Sequence, residues 1–452
     1  MPVSEGTALD PPRHGKGDRL QGGGGGSETH SERGNKSFGA GLGTPSTTAL
    51  RRRSPSPSRG GSSERDSGAR FSDSLAPAGQ ETPPLALYVH WPFCVSKCPY
   101  CDFNSHVREA VDQEVWRDAL LRDLAHEARV YPGRAPLGSI FFGGGTPSLM
   151  PPETVAALIA AAERHWGFAD GIEITLEANP SSVEAARFAD LAAAGVNRVS
   201  LGLQALDDEV LRFLGRAHGV AEGLAALDTA QRVFERVSFD LIYARPGQSA
   251  DAWEAELRRA LGFGTGHLSL YQLTIEPGTR FAALAAKGEL PTLDPDEAAS
   301  LYEMTQAITG TAGLPAYEVS NHARPGEESR HNLAYWRYNP YLGVGPGAHG
   351  RRGHASTQRH KKPENWLKAL GRNGHGIVEE AALSADDEAL ETLLMGIRLR
   401  EGVTLARIER ALDAKGLARM ERQGFVERRD GRLFARSDGM LLLDGILAEL
   451  AA

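Results

Sequence analysis

From residue 85 onward the chain switches repeatedly between two hydrophobic periods. Residues 85–91 and 139–142 are short apolar runs, which read as strands. Between them Trp116, Leu120, Leu124 and Ala128 recur at helical spacing, behind an Asp112 suited to cap a helix. Val155, Leu158, Ile159, Ala162 and Trp166 mark a second helix face. Four more strand-plus-helix units follow, with strands at 172–177, 198–204, 237–243 and 267–273. Six such units predict a parallel sheet with covering helices, because parallel strands need crossovers.

Within these strands the two faces differ. Ile172, Ile174 and Leu176 share one face, and Glu173, Thr175 and Glu177 the other. Val199, Leu201 and Leu203 oppose Ser200, Gly202 and Gln204; Val237, Phe239 and Leu241 oppose Ser238 and Asp240. The apolar face should meet the helices. A closed eight-stranded barrel fills its interior with bulky branched side chains. A polar inner face and only six units predict instead an α/β fold with an open, partial (β/α)6 barrel and a ligand in its mouth. Strand C-termini and the loops after them should carry the site.

Past residue 320 the pattern changes. A Gly- and aromatic-rich segment runs to Gly350. Helical stretches follow, then 425–443 with turn signals at Asp430-Gly431 and Asp438-Gly439. This predicts a small helical, winged-helix-like domain ending in a hairpin. No basic recognition stripe accompanies it, so a structural or substrate-covering role is expected rather than nucleic-acid binding. Residues 1–82 are different again, with a glycine run (22–26), an arginine run (51–53) and Ser-Pro repeats. Too few apolar residues are present there to offset the ordering entropy, so a disordered extension is expected. Glu5, Asp10 and Asp18 argue against a transit peptide; an over-long translation start is an alternative. The expected division is 1–82, 83–320 and 321–452.

Composition narrows the picture further. The 452 residues are 41% hydrophobic and 24% charged, ordinary values for globular chains. A net charge of −8 gives no reason to expect nucleic acid or an anionic membrane as partner. No run reaches the roughly 18 apolar residues of a membrane span, and no signal peptide is evident, so a cytoplasmic protein is expected. Three cysteines, Cys94, Cys98 and Cys101, all fall within eight positions. An odd, clustered set is no disulfide framework and points to metal.

The cysteines stand as C-x3-C-x2-C on the loop after the first strand. Three thiolates on one loop suit three irons of a four-iron cluster, leaving the fourth open. The alternative is zinc, with His90 or His106 as fourth ligand. Gly143-Gly144-Gly145-Thr146-Pro147 follows the second strand and lets backbone approach a ligand, or makes a tight turn. Glu177 ends a strand on the polar face, where a carboxylate can bind ribose hydroxyls; Gln204 and Asp240 share that face. Arg216 is placed to clamp a carboxylate. His331 begins His-Asn-Leu-Ala-Tyr-Trp, and Gly343 to His349 follows; an imidazole beside aromatics suits heme iron, or a satisfied core position.

The segment from Tyr88 to Phe103 resembles the radical S-adenosylmethionine (SAM) signature, and Tyr100 before the third cysteine fits it. From residue 85 to the C-terminus the chain is similar to the family of oxygen-independent coproporphyrinogen III oxidases and their relatives, and is most like the heme-chaperone branch. The resemblance implies a radical SAM barrel, a 4Fe-4S cluster, SAM and heme. It places Tyr88, Gly144 and Glu177 with the cysteines at one SAM site. It places Tyr100, Gly145, Thr146, Gln204, Arg216, Asp240 and Thr274 at a second. The oxidases typically carry a fourth cysteine where Phe103 stands here, which favours the chaperone branch, delivering heme to respiratory hemoproteins. The oxidase activity is the alternative, and a zinc protein with a nucleic-acid-binding wing a third.

Overall fold

The structure is a computed structural model that describes residues 83–132 and 135–452; the expectations for 1–82 lie outside the described residues. Eleven strands make one sheet. Six of them lie side by side in chain order, each parallel to the next: β1 (Leu85–Trp91), β2 (Leu137–Gly144), β3 (Phe168–Ala178), β4 (Arg198–Gln204), β5 (Arg236–Tyr243) and β6 (His267–Gln272). These are the six predicted strands, with β2 and β3 extended beyond their apolar runs.

The sheet continues on both sides. β7 (Asn321–Ala323) adds antiparallel to β6. On the other flank β8 (Tyr341–Val344) lies parallel to β1, with Tyr88 between Phe141 and Gly343. β9 (His349–Arg352), β10 (Ala355–Arg359) and β11 (Ile377–Ala382) then follow antiparallel. The expected seam at 320 thus falls inside this sheet, with strands on both sides of it joined by hydrogen bonds.

Helices cover the outer face: α1 (Gln113–Val130), α2 (Pro152–Trp166), α3 (Val220–Val233), α4 (Ala250–Leu261) and α5 (Pro295–Thr311). α1 begins where Asp112 accepts the Val115 N–H at 3.1 Å, a cap worth about 1 kcal/mol. Leu120, Leu124, Val155, Leu158 and Trp253 pack with Val199, Leu201, Phe239 and Leu241 in one apolar core. The predicted apolar strand face therefore does meet the helices.

The polar face is buried as well. Glu173 is 2% exposed, yet it is ionically satisfied, with Arg236 Nη1 at 2.6 Å and Arg198 Nε at 4.0 Å. Burial alone would raise its carboxyl, but the two guanidinium groups hold it below the ordinary range.

After β8 come α7 (Pro363–Asn373) and α8 (Ala385–Gly396); α6 (Arg330–Trp336) precedes it. The last segment has its own core of Leu393, Ile408, Met420, Leu433 and Ile446, around a small sheet of order β12 (Val403–Thr404), β14 (Arg432–Ala435), β13 (Val426–Arg429). Asp430 and Gly431, at φ of 50° and 73°, make the hairpin turn, as a two-residue loop with both φ positive requires. The second turn signal is corrected: Asp438-Gly439 lies in a helical turn, Ser437–Met440. Met440, Leu443, Ile446 and Leu447 recur at helical spacing and are buried, and that burial overrides the local turn preference.

Candidate functional site

The loop after β1 is held from three sides. Phe93–Cys94 pairs with His106–Val107, closing the loop at its base. Gly145 N donates to Trp91 O at 2.7 Å and Thr146 N to Phe93 O at 2.8 Å, so the glycine loop after β2 is tied to the cysteine loop. A Cβ on Gly145 would stand 2.6 Å from Phe93 O, so only glycine allows this approach. Gly215, at φ of 68°, packs against Pro99, whose Cδ would meet its Cβ at 2.6 Å. Within the loop Cys101 N donates to Cys98 O at 3.2 Å.

All three thiols face one cavity of about 540 Å³ at the C-terminal ends of the strands. Gly144, Gly145 and Thr146 line it, together with Tyr100, Glu177, Gln204, Arg216, Asp240 and Thr274. Thr146 Oγ1 donates to Cys94 Sγ at 3.4 Å, and Arg216 Nη1 to Cys98 Sγ at 3.4 Å. Burial pushes the Cys94 and Cys101 thiols up. Among the described residues, no three His, Cys, Asp or Glu side chains stand close enough to hold one metal ion. A cluster asks for something different, one thiolate on each of three irons. The two histidines weighed for zinc are hydrogen-bonded elsewhere. His90 Nε2 donates to Asn104 O at 3.0 Å, so its Nδ1 accepts from the Tyr88 hydroxyl at 2.9 Å; His106 Nε2 lies 3.3 Å from Asn104 Oδ1.

Of the carboxylates that line this cavity, Glu177 and Asp240 are buried with few donors. Glu177 accepts one backbone donor, Gly144 N at 3.2 Å. Burial, then the nearby Asp240, pushes its carboxyl up to about 8. Burial likewise pushes Asp240 up to about 6, against hydrogen bonds from the Ser269 and Ser200 hydroxyls, the latter at 3.3 Å. Among the described residues, Arg216 Nε is buried without a partner. A site with sparsely bonded carboxylates and a guanidinium suits a ligand bearing an ammonium, hydroxyls and a carboxylate. SAM has all three, and the residues present fit it.

Sequence reasoning missed Asn179. Its amide accepts Arg216 Nη2 at 2.7 Å and donates to Thr146 Oγ1 at 3.2 Å, linking the residues beside Cys98 and Cys94. Its only sequence signal is its place just after the end of β3.

Two expected residues, Tyr88 and His331, lie in a second cavity of about 460 Å³. Gly144, Glu177, Ser200, Asp240 and Tyr271 line both cavities, so the two adjoin. The second runs down the lumen of the sheet, from the strand ends at Gly144 to Arg198, His267 and Tyr341, which are first in their strands. Tyr335 and Trp336 line it too, but the rings next to His331 are Phe141, stacked at 4.9 Å, and Tyr88 at 6.1 Å. His331 Nδ1 lies 3.3 Å from Ser139 Oγ. Nε2 has no partner among the described residues. Burial lowers its pKa to about 4, so the ring is neutral near pH 7. Phe103 is 43% exposed and lines both cavities.

The chain matches the model of the radical SAM superfamily over residues 88–260 and that of the HemN C-terminal domain over 383–442. It is 43% identical over 328 residues to the mouse protein named radical S-adenosyl methionine domain-containing protein 1, mitochondrial, covering 71% of this chain and 74% of that one. It is 38% identical over 328 residues to the heme chaperone HemW of Escherichia coli, covering 71% and 84%. The solved structure of the E. coli coproporphyrinogen III oxidase HemN, a radical SAM enzyme, superposes with a TM-score of 0.69 at 24% identity, over 82% of this chain and 91% of that one.

Proposed function

Because this chain belongs to the radical SAM superfamily, in the HemN-like family that includes the HemW heme chaperones, we propose that it is a heme chaperone that passes heme to respiratory hemoproteins. The family implies a 4Fe-4S cluster and SAM. When bound, a cluster with one open iron offers SAM a metal site and an electron for its cleavage. The chain's own part is to hold and orient. Cys94, Cys98 and Cys101 are the cluster ligands in this reading, Gly144 and Glu177 meet SAM, and Arg216 braces the Cys98 thiol while offering a free Nε.

The observation that carries heme binding is His331. A neutral imidazole with an uncommitted Nε2 faces an aromatic lumen, which is what an axial iron ligand needs. The lumen's volume suits a flat cofactor rather than a metabolite of a few atoms.

The test is an anaerobic heme titration of cluster-reconstituted protein. Saturable binding near one heme per chain is expected. His331→Ala should weaken it by about tenfold or more, for loss of one coordinate bond, with the cluster absorbance unchanged. Unchanged affinity removes His331 from the site. Absence of saturable binding turns the reading to coproporphyrinogen III oxidation, assayed with that substrate, SAM and a reductant.

Among the described residues no helix is long and apolar enough to cross a membrane. Cytoplasmic residence belongs to the proposal; the name of the mouse relative says mitochondrial, and fractionation of the native host decides.

A further inference from the structure

The lumen has a cation whose bonds do not account for its position. Arg398, two residues beyond α8, comes from the C-terminal unit and yet lines the cavity with His331, Tyr335 and Trp336. Its guanidinium lies 5.8 Å from the Trp336 ring centroid, and its side chain is 22% exposed. Nε donates to Leu394 O at 3.3 Å and Nη2 to Asp444 Oδ1 at 3.4 Å; no bond is seen for Nη1 among the described residues. Asp444 is 56% exposed, and a single long pair of that kind contributes little. A guanidinium has five N–H donors, so most of this one is uncommitted.

The other cations of the lumen are placed differently. Arg198 is spent on Ser238 Oγ at 2.9 Å and Thr175 Oγ1 at 3.4 Å, beside Glu173. Lys97 and Lys361 line the same cavity but are exposed. Heme carries two propionates on one edge. Taking that edge into a half-dry aromatic cavity requires a partner for the carboxylates, and a guanidinium is the donor that matches them two-point.

Building on the heme reading above, we infer that Arg398 binds a propionate carboxylate at the α6 end of the lumen. The C-terminal unit thereby completes the cavity and fixes which edge of the tetrapyrrole faces it. His331 then sets the iron's position and Arg398 the ring's rotation about it.

The test compares heme with its dimethyl ester, which has the same ring and no propionate charge. Each is titrated anaerobically into unaltered protein, Arg398→Gln and Arg398→Lys. A charge-assisted hydrogen bond predicts about a tenfold or larger loss of heme affinity in Arg398→Gln, partial recovery in Arg398→Lys, and ester affinity unchanged within about twofold. Equal losses for heme and ester, or no loss for heme, overturn the inference. So does an ester-insensitive loss that appears only in Lys97→Gln with Lys361→Gln, since the propionates then face the cysteine end. If Arg398→Gln fails to fold, the heme-to-ester affinity ratio of Arg398→Lys decides alone: a drop supports the inference and an unchanged ratio overturns it. Unaltered protein that binds neither ligand saturably defeats the heme reading itself, a result distinct from all of these.

Discussion

Two buried polar clusters in this molecule look alike in composition and behave in opposite ways. Beneath α1, Asp123 and Glu127 meet Arg359 and Arg352, all essentially unexposed. Asp123 accepts from Arg359 Nε at 2.6 Å, Gly345 N and Gly376 N at 3.1 Å, and Trp366 Nε1 at 3.3 Å. Glu127 takes Arg359 Nη2 at 2.7 Å and Arg352 Nη1 at 3.5 Å. All four carboxylate oxygens are filled, and Trp366 of α7 stacks on Trp116 of α1 above them. At the strand ends, Glu177 has one backbone donor and Asp240 two hydroxyls, while Arg216 bonds the Cys98 thiol, Asn179 and Gly202 O. Each cluster leaves one guanidinium nitrogen without a partner among the described residues, Arg359 Nη1 in the first and Arg216 Nε in the second. The difference therefore lies in the carboxylates: filled ones fix structure, and sparsely bonded ones keep capacity for a ligand. The first cluster clamps α1 to β9, β10 and the turn after β8. The second waits.

Breaking the satisfied cluster should give the largest effect. Asp123→Ala leaves Arg359 with Glu127 alone and strips two backbone N–H groups of their acceptor. Denaturant unfolding should show a loss of about 3–5 kcal/mol. A loss under about 1 kcal/mol would mean the clamp is not what it seems.

The unsatisfied cluster answers to pH instead. In protein free of SAM, the Glu177 carboxyl has its pKa raised from 4.5 to about 8. Its contribution is full below about 4.5 and is lost as the pH rises through about 8. Stability should therefore decline across that window, and Glu177→Gln should flatten the decline while weakening SAM binding. A residual slope between 3.8 and about 6 belongs to Asp240. An unaltered slope in the variant would place the titration elsewhere.

Cys98→Ala should barely move unfolding, by about 1 kcal/mol or less, because the side chain is only partly buried. It should nonetheless abolish the brown cluster absorbance. A retained cluster would refute the ligand assignment.

The same contrast explains what could be read from the chain. The cysteine loop, the glycine loop and the carboxylates of the inner face were legible because each is a local pattern, either a spacing or a strand alternation. Every residue expected around the thiols except Tyr88 does line the thiol cavity. Asn179 was invisible because its value comes from Thr146 and Arg216, brought to it by segments that follow two different strands. The rings around His331 were misread for the same reason. Its sequence neighbours Tyr335 and Trp336 line the same cavity, but the ring contacts come from β1 and β2. Nor does any local pattern announce that β8 lies beside β1, since strand order is a property of the whole sheet.

That placement of β8 sets a timetable. β1, which presents the cysteines, has β2 on one edge, but its other edge is covered by a strand that begins at Tyr341, about 250 residues later. At 5–20 residues per second, a ribosome needs roughly 12–50 s to cover that distance. Through that interval the backbone of β1 has an open edge, a template for the wrong strand. The loop that carries the cysteines is tied at its base by residue 146, so the sulfur ligands are in place long before the strand beneath them gains its second neighbour.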